Sequence, residues 1–309
     1  MISLKSRRTG WVCLAFCVLW APRRDVDAAD VDVYLLGGQS NMQGIGQLAS
    51  IADQVPTTIP HCYFFVDGGF HPLILGVTKT STRAGEFGPE VGLALELATE
   101  ERPVYLIKSH FSGMPLHHGW DGGAWKGGDP VAGRRNFYPG TSEADPAQGV
   151  LYRQMLARFQ AGLDALEERG DSPKVRGFVW MQGEADAKNG VSATEYAVSL
   201  RFLRDRLAED LSLAPALPTV FGQVLPHEPA SARFTHRVVI REQMARADEH
   251  SGDALAIPRA RMVSTDGVSL LPDTVHYDGP GQLDLGRRFG RTLKALIRGL
   301  GDPEAPVVP

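Results

Sequence analysis

The fold is decided by the stretch Val31-Asp32-Val33-Tyr34-Leu35-Leu36-Gly37-Gly38-Gln39-Ser40-Asn41-Met42, in which a short apolar run leads directly into two glycines and a serine. The apolar residues predict a buried strand, and Gly37 and Gly38 predict the turn that ends it. A serine held where a strand ends and a helix begins lies beside backbone N–H groups that attract an anion. Ser40 is therefore the first candidate for a reacting group.

A second polar motif lies near the other end of the chain, at Asp273-Thr274-Val275-His276. A serine hydroxyl is weakly nucleophilic until a base takes its proton, and an imidazole can do so near neutral pH. The spacing lets Asp273 and His276 face the same way, so that the carboxylate can fix the tautomer of the ring. Alone, this pair could be a loop turn beside a surface histidine. Together with Ser40 it predicts a nucleophilic hydrolase.

The body of the chain alternates strand-like and helix-like segments. Strands are predicted at residues 31–36, 62–66, 104–109, 175–181 and 218–225, and helices at 90–100, 151–169, 193–211, 238–250 and 281–300. This alternation predicts an α/β fold with a parallel sheet that is covered on both faces. Functional groups then belong in the crevice at the carboxyl ends of the strands. Ser40 and the segment 182–184 each follow a predicted strand, so we expect them to meet there.

The alternation defines one domain from residue 29 to 300, with one interruption. Residues 117–148 are rich in Gly, Trp and Pro and contain several aromatic residues, which predicts an ordered insertion near the site rather than a linker. Residues 1–28 combine a basic start, a short apolar run and an A-x-A-like cleavage site, which is typical of a secretory signal peptide. An uncleaved anchor is the alternative. The tail 301–309 is predicted to be flexible.

Composition and charge exclude several classes of protein. The chain has 309 residues, 43% of them hydrophobic and 22% charged, which is ordinary for a globular protein. The net charge of -4 and the lack of a basic block argue against nucleic acid as a partner. Once the signal has left, Cys62 is the one cysteine in the sequence, so no intramolecular disulfide is expected. The histidines at 110, 117 and 118 lack accompanying ligands at metal-site spacing, and no metal is predicted.

Acyl transfer also needs donors for the oxygen that becomes negatively charged in its intermediate. The backbone N–H of Ser40 is one candidate. Gly113, which follows another predicted strand, offers a second N–H unless it serves only as a turn glycine. The side-chain amide of Gln182 is placed to offer a third.

Two further polar residues have open roles in the sequence. Glu184 could orient His276 in place of Asp273, or it could support the loop of Gln182. Asn41 could cap the helix that begins at Ser40, or it could line the site.

Four blocks of the sequence resemble those of the sialate O-acetylesterase and acetylxylan esterase branch of the SGNH hydrolases, also called the sixth carbohydrate esterase family. In chain order the blocks are Gly38-Gln39-Ser40-Asn41-Met42-Gln43-Gly44, Ser112-Gly113-Met114-Pro115-Leu116 with Trp120, Trp180-Met181-Gln182-Gly183-Glu184-Ala185-Asp186 and Asp273-Thr274-Val275-His276-Tyr277. The likeness extends over residues 31–295. One departure is the second block, where Ser112 and Met114 stand in place of the usual glycine and threonine. Met114 makes one wall of the pocket bulkier and more apolar.

The resemblance implies a three-layer α/β/α sandwich of the SGNH, flavodoxin-like kind, with a central parallel sheet of about five strands. It implies Ser40 as nucleophile, His276 as base and Asp273 as the partner of the base. In some members the glutamate that matches Glu184 takes the acidic role. The implied oxyanion hole consists of Ser40, Gly113 and Gln182.

Taken together, these inferences predict a secreted or periplasmic serine esterase that removes O-acetyl groups from carbohydrate through an acetyl-enzyme intermediate. No metal or organic cofactor is expected, and no membrane attachment after signal cleavage. Trp120 could stack against a sugar ring or pack in the core. A lipid or thioester hydrolase on the same scaffold would prefer longer acyl chains. A non-catalytic carbohydrate-binding protein would need a lost catalytic residue, and the sequence keeps all the candidates.

Overall fold

The computed structural model describes residues 29–214, 216–228 and 231–299. The predicted signal peptide at residues 1–28 and the predicted tail at 301–309 both lie outside the described residues. Over the described ranges, none of the helices combines the length and the apolar character that crossing a bilayer requires.

The described chain folds into strands and helices in alternation. The strands are β1 (Asp30–Gly38), β2 (Gly46–Gln47), β3 (Thr58–Val66), β4 (Gly69–Ile74), β5 (Glu86–Phe87), β6 (Val104–His110), β7 (Trp120–Asp121), β8 (Ala124–Trp125), β9 (Ser172–Met181), β10 (Thr219–Gly222) and β11 (Ala260–Val263). The helices are α1 (Ser40–Gln43), α2 (Glu90–Leu97), α3 (Val150–Glu168), α4 (Gly190–Thr194), α5 (Tyr196–Asp210), α6 (Arg237–Ala247) and α7 (Gly279–Arg298), and 3₁₀ turns lie at Leu48–Ser50 and Asp186–Lys188.

Seven strands form the main sheet in the order β11-β10-β9-β1-β6-β3-β4. Neighbouring strands are parallel except for β3 and β4, which pair antiparallel at one edge. The predicted α/β fold is confirmed. The sheet has seven strands, whereas about five were expected. The sequence analysis missed β4 and β11, because neither contains an apolar run that would mark it as a strand. β4 contains a glycine and a proline, and β11 has an arginine in the middle of four residues.

Strand β1 lies near the middle of this sheet, between β6 and β9. Val33, Leu35 and Leu36 are fully buried although neighbouring residues of a strand point to opposite faces. A strand that is buried on both faces has apolar side chains on both, and it therefore forms one continuous apolar run in the sequence.

Helices cover the two faces of the sheet, as β6 shows. Ile107 packs against Gly162 of α3, and its neighbour Lys108 forms an ion pair with Glu90 of α2, with Nζ and Oε2 2.7 Å apart. Because these adjacent side chains point to opposite faces, α2 and α3 lie in different layers. The helix predicted at residues 193–211 is divided into α4 and α5, and the Asn189 side chain caps the start of α4.

Helices α2 and α7 cross at very short range because the crossing is made of glycines. A Cβ atom added to Gly92 would lie 2.2 Å from the carbonyl oxygen of Leu283, and one added to Gly286 would lie 2.1 Å from that of Pro89. Both distances are far below van der Waals contact, and the nearest atoms belong to backbone. This crossing fixes α7, whose first residues follow the segment of His276 directly.

We predict that Gly92→Ala lowers the free energy of unfolding by about 1–3 kcal/mol, because the added methyl group overpacks the crossing. Alanine stabilises a helix by about 1 kcal/mol relative to glycine, so helix propensity by itself would predict a gain in stability instead of this loss. Urea denaturation measures it. The matched control is Gly123→Ala, where the new methyl group meets no atom within 4 Å, and its effect should stay within about 0.5 kcal/mol. A Gly92→Ala protein as stable as the parent would contradict the close crossing.

Candidate active site

Three polar side chains meet at the carboxyl end of β1. Ser40 begins α1 directly after this strand, and its Oγ lies 2.9 Å from Nε2 of His276. The other ring nitrogen of His276, Nδ1, lies 2.5 Å from Oδ2 of Asp273. The hydroxyl, the imidazole and the carboxylate thus form one continuous chain of hydrogen bonds, which is the arrangement that activates a serine.

A tight turn holds Asp273 and His276 together. Oδ1 of Asp273 accepts the backbone N–H groups of Val275 and His276, each at 2.9 Å, and Thr274 between them has a φ of 60°. A β-branched residue in this left-handed region is strained, so the turn is kept by its hydrogen bonds. Desolvation alone would raise the pKa of Asp273, but the hydrogen bonds from His276 and Val275 bring that pKa below its usual value. The carboxylate is therefore ionised at neutral pH.

Glu184 is linked to the backbone beside His276 through the side chain of Asn41. The Nδ2 of Asn41 donates to Oε1 of Glu184 at 2.6 Å and to the carbonyl oxygen of Val275 at 3.0 Å, and its Oδ1 accepts the N–H of Tyr277 at 3.2 Å. The carboxylate within hydrogen-bond distance of His276 is thus that of Asp273. Asn41 neither caps α1 nor lines the cleft in the described chain; it ties the His276 segment to Glu184.

The surroundings of Glu184 do little to stabilise a negative charge on its carboxyl group. The side chain is 2% exposed, and its Oε2 has no hydrogen-bond partner among the described residues. Burial raises the pKa of Glu184, more than the hydrogen bonds from its own backbone and from Asn41 lower it. A carboxyl group in this state is a support for neighbouring groups rather than a strong partner for an imidazolium ion.

Gln182 is turned into the protein instead of toward the cleft. Its side chain is fully buried, and Nε2 donates to the carbonyl oxygen of Met114 at 3.1 Å and to Oδ2 of Asp186 at 2.7 Å. Both amide hydrogens are thereby used, so the geometry does not offer Gln182 as the third oxyanion donor that the sequence suggested. Its contact with Met114 instead fixes the loop that follows Gly113.

Asp186 anchors the same loop. Its carboxylate accepts the backbone N–H of Leu116 at 2.8 Å and that of His117 at 3.1 Å, in addition to the amide of Gln182. Burial raises the pKa of Asp186, against the lowering effect of these hydrogen bonds. The loop of Gly113 is therefore held from behind by Gln182 and Asp186 together.

Two residues that line the cleft have backbone N–H groups without a partner among the described residues. For the N–H of Ser40 and for that of Gly113, no acceptor lies within hydrogen-bond distance in the part of the chain that the structure describes. Gly113 has a φ of 70°, and a Cβ atom added there would meet nothing within 4 Å. The glycine is thus required by its left-handed backbone, not by crowding. Ser40 and Gly113 together are placed to bind a negatively charged oxygen.

The cleft above Ser40 has a volume of roughly 250 Å³. Its lining includes Ser40, Ser112, Gly113, Glu184, Lys188, Arg233, Phe234 and His276. Sequence reasoning missed Lys188, Arg233 and Phe234. The first lies just beyond the Gln182 block and could have been noticed, but no local signal marks the other two. Clefts of roughly 300 and 400 Å³ lie elsewhere, and neither contains Ser40 or His276.

Trp120 is placed away from this cleft. Its side chain is 5% exposed, its indole N–H donates to Oγ of Ser192 at 3.0 Å, and its ring packs edge-on against Trp125. Of the two roles that the sequence left open, packing is the one that these contacts support. In the described ranges, no group of three or more His, Cys, Asp or Glu side chains is arranged to hold a metal ion.

We predict that Asp186→Asn lowers the free energy of unfolding by about 1–3 kcal/mol, because an amide nitrogen would replace an acceptor oxygen opposite buried N–H donors. Urea denaturation measures the loss. The matched control is Asp129→Asn, an exposed position where the same change should stay within about 0.5 kcal/mol. Equal stability of the two variants would contradict the anchoring role of Asp186.

Several solved structures share the fold of this chain at low sequence identity. A protein from Arabidopsis thaliana has a TM-score of 0.60 and 16% identity, with 85% of this chain and 98% of that chain covered. A carbohydrate acetylesterase from Xanthomonas citri has a TM-score of 0.56 and 18% identity, with 87% of this chain and 57% of that chain covered. The structure of NanS has a TM-score of 0.57 and 16% identity, with 88% and 98% covered.

Because all three sequence identities are low, these likenesses establish the fold alone. Among curated proteins, none matches the chain in sequence. A family model described as carbohydrate esterase, sialic acid-specific acetylesterase, matches residues 30–295. Because that match covers nearly all of the described chain, including the serine, histidine and aspartate that meet at β1, the protein belongs to the sialic acid-specific acetylesterase family of carbohydrate esterases.

Proposed function

We propose that this carbohydrate esterase is a serine hydrolase that releases acetate from an O-acetylated sugar, with Ser40, His276 and Asp273 as its catalytic residues. The observation that carries the proposal is the unbroken hydrogen-bonded chain from Ser40 Oγ through the imidazole to Asp273, in which Ser40 and His276 line a cleft. The unpartnered N–H groups of Ser40 and Gly113 support the same mechanism.

In the first half-reaction, Nε2 of His276 takes the proton of Ser40 as Oγ attacks the acetyl carbonyl carbon. The carbonyl oxygen becomes negatively charged and is bound by the N–H groups of Ser40 and Gly113. The bond to the sugar oxygen then breaks, and His276 returns its proton to that oxygen. An acetyl-enzyme and a free sugar hydroxyl result.

In the second half-reaction, a water molecule replaces the sugar. Nε2 of His276 takes a proton from this water, whose oxygen attacks the acetyl carbon, and the proton passes to Ser40 as acetate leaves. Throughout the cycle Asp273 accepts the Nδ1–H of His276 and stabilises the charged ring. Every proton transfer in this sequence uses groups of the chain, so the proposed chemistry requires neither a metal ion nor an organic cofactor.

Asp273 is the better candidate than Glu184 for the acidic role. Asp273 lies in direct contact with the ring and its lowered pKa keeps it ionised, whereas the pKa of Glu184 is raised and its Oε1 is hydrogen-bonded to Asn41 instead of His276. We assign Glu184 a positioning role, in which it holds Asn41 and thereby the backbone on both sides of His276.

We predict that Ser40→Ala lowers kcat/KM for 4-nitrophenyl acetate by about 10⁴-fold or more, because Ser40 is the one hydroxyl among the described cleft residues that is hydrogen-bonded to His276. Release of 4-nitrophenolate measures the rate. The control variant is Ser142→Ala, an exposed position that should leave the rate unchanged. If Ser40→Ala hydrolyses the ester as fast as the parent, the serine mechanism is wrong.

A pair of isosteric variants distinguishes the two acids. We predict that Asp273→Asn lowers kcat by about 10⁴-fold, since an amide favours the wrong tautomer of His276. Glu184→Gln should cost less than about 100-fold, because the amide oxygen can still accept from Asn41. The same 4-nitrophenyl acetate assay measures both. A larger loss in Glu184→Gln than in Asp273→Asn would reverse the assignment.

A further inference from the structure

Helix α1 carries the proposed nucleophile and one of the two proposed oxyanion donors, yet it is too short to hold itself in place. It has four residues, and a helix of this length makes few internal hydrogen bonds. Side chains from other segments bind the carbonyl groups at its end. Nζ of Lys108 donates to the carbonyl oxygen of Gln43 at 3.0 Å. Oγ of Ser81 donates to that of Gly44 at 2.6 Å. The position of the Ser40 N–H group therefore depends on these outside contacts.

The ammonium group of Lys108 is buried together with the carboxylate of Glu90. The two side chains are 1% and 0% exposed, and Nζ lies 2.7 Å from Oε2. Removing two charges from water has a large free-energy cost, and their mutual attraction often only offsets it, so a buried ion pair is weak evidence for a stabilising role. The proposed reaction of the acetyl group uses neither charge. The contacts that the pair makes with its neighbours therefore indicate its role.

Both members of the ion pair support the end of α1. Lys108 binds the last residue of the helix directly, as described above. Oε1 of Glu90 accepts the backbone N–H of Gly88 at 2.9 Å. Gly44, which follows α1, packs so closely on Gly88 that a Cβ atom added to Gly44 would lie 2.0 Å from the Cα of Gly88. Glu90 thus fixes the backbone against which the residue after the helix packs.

The side chain of Gln43 extends this network to the second proposed oxyanion donor. Its Oε1 accepts the hydroxyl of Ser112 at 2.5 Å. Ser112 directly precedes Gly113, whose N–H group is that donor. A glycine at position 112, which is usual in the second sequence block, has no side chain to form this bond. Gln43 therefore joins the helix of Ser40 to the loop of Gly113.

We propose that the buried ion pair of Lys108 and Glu90 positions the oxyanion site. It fixes the end of α1 and, through Gln43 and Ser112, the distance between the two N–H donors. Donors that are already in place need no reorganisation when the negative charge develops, and this lowers the barrier of the reaction. All four are positioning residues, since they act through the donors and not on the acetyl group. The inference rests on the proposed function, because it concerns the site that binds the oxygen of the reacting ester.

The first test separates this role from a purely structural one by removing one charge and then both. Lys108→Met leaves Glu90 buried and unpaired, so the midpoint of urea denaturation should fall, and kcat for 4-nitrophenyl acetate should fall ~10-fold to ~100-fold. In the double variant Lys108→Met/Glu90→Met no charge remains buried at this place, so the urea midpoint should recover. Its kcat should stay low, because the carbonyl group of Gln43 still lacks its donor. The matched control is Lys174→Met, a half-exposed lysine near the start of β9 and hence at the opposite end of the strands, which should keep the full kcat.

The second test uses the accessible end of the network, where Ser112 is exposed and Gln43 is half-buried, so that folding is not at risk. Ser112→Ala and Gln43→Ala should each lower kcat ~3-fold to ~10-fold. The double variant should lose no more than the larger single loss, because all three variants lack the same hydrogen bond. Gln43→Glu keeps an acceptor oxygen and should keep most of the rate. The controls are Ser142→Ala and Gln160→Ala, at exposed positions outside the cleft.

A mimic of the reacting group distinguishes positioning of the donors from binding of the substrate. Methylboronic acid resembles the acetyl group, and its boron becomes tetrahedral and negatively charged when it binds a serine oxygen. Its inhibition constant should rise in each variant by about the factor by which kcat falls, whereas KM should change little, because the donors bind the charged state more strongly than the ester.

The outcomes separate this inference from the proposed function. A double charge variant that recovers kcat together with stability would show a merely structural ion pair and overturn the inference, as would a parental kcat in Lys108→Met. A rise in KM alone for Ser112→Ala, with no effect of Gln43→Ala, would show that Ser112 contacts the substrate itself, and would overturn its positioning role. Each of these results leaves the serine esterase intact. Hydrolysis that does not depend on Ser40 would overturn the proposed function and this inference with it.

Discussion

The site depends on one buried side chain, the amide of Asn41, which joins three distant parts of the chain. Ser40 and His276 are 236 positions apart, and their hydrogen bond requires that the loop after β11 returns to the end of β1. Asn41 secures this return with its contacts to Val275, Tyr277 and Glu184. Because these bonds are shielded from water, breaking them would leave buried polar groups unpaired, and this cost keeps the imidazole in place.

The opposite wall of the cleft is held by the same means. The buried side chains of Gln182 and Asp186 bind the loop that follows Gly113 through its backbone. The Trp-Met-Gln-Gly-Glu-Ala-Asp block therefore supports both walls, with Glu184 on the side of the base and Gln182 and Asp186 on the side of the proposed oxyanion site. A single turn after β9 thus positions both the proposed base and the proposed oxyanion site, without itself contributing a group that reacts.

The three carboxylates have different roles because their surroundings differ. Asp273 is accessible and receives several hydrogen bonds, which favour its charged form, whereas burial disfavours the charge of Glu184 and Asp186. An imidazole that gains a proton during the reaction needs a partner that is already ionised.

The sequence by itself determined the α/β fold, because a strand buried on both faces must be apolar throughout, and this pattern is local. It also determined Ser40, Asp273 and His276 as candidates, since their residue types and the turn around residue 274 need no knowledge of distant contacts. Only the tertiary structure decided that Gln182 points inward, that Asn41 donates to Glu184, and that Lys188 and Arg233 each lie against the ring of Phe234. Each of these contacts depends on the orientation that a side chain adopts once remote segments pack against it, and the local sequence does not determine that orientation.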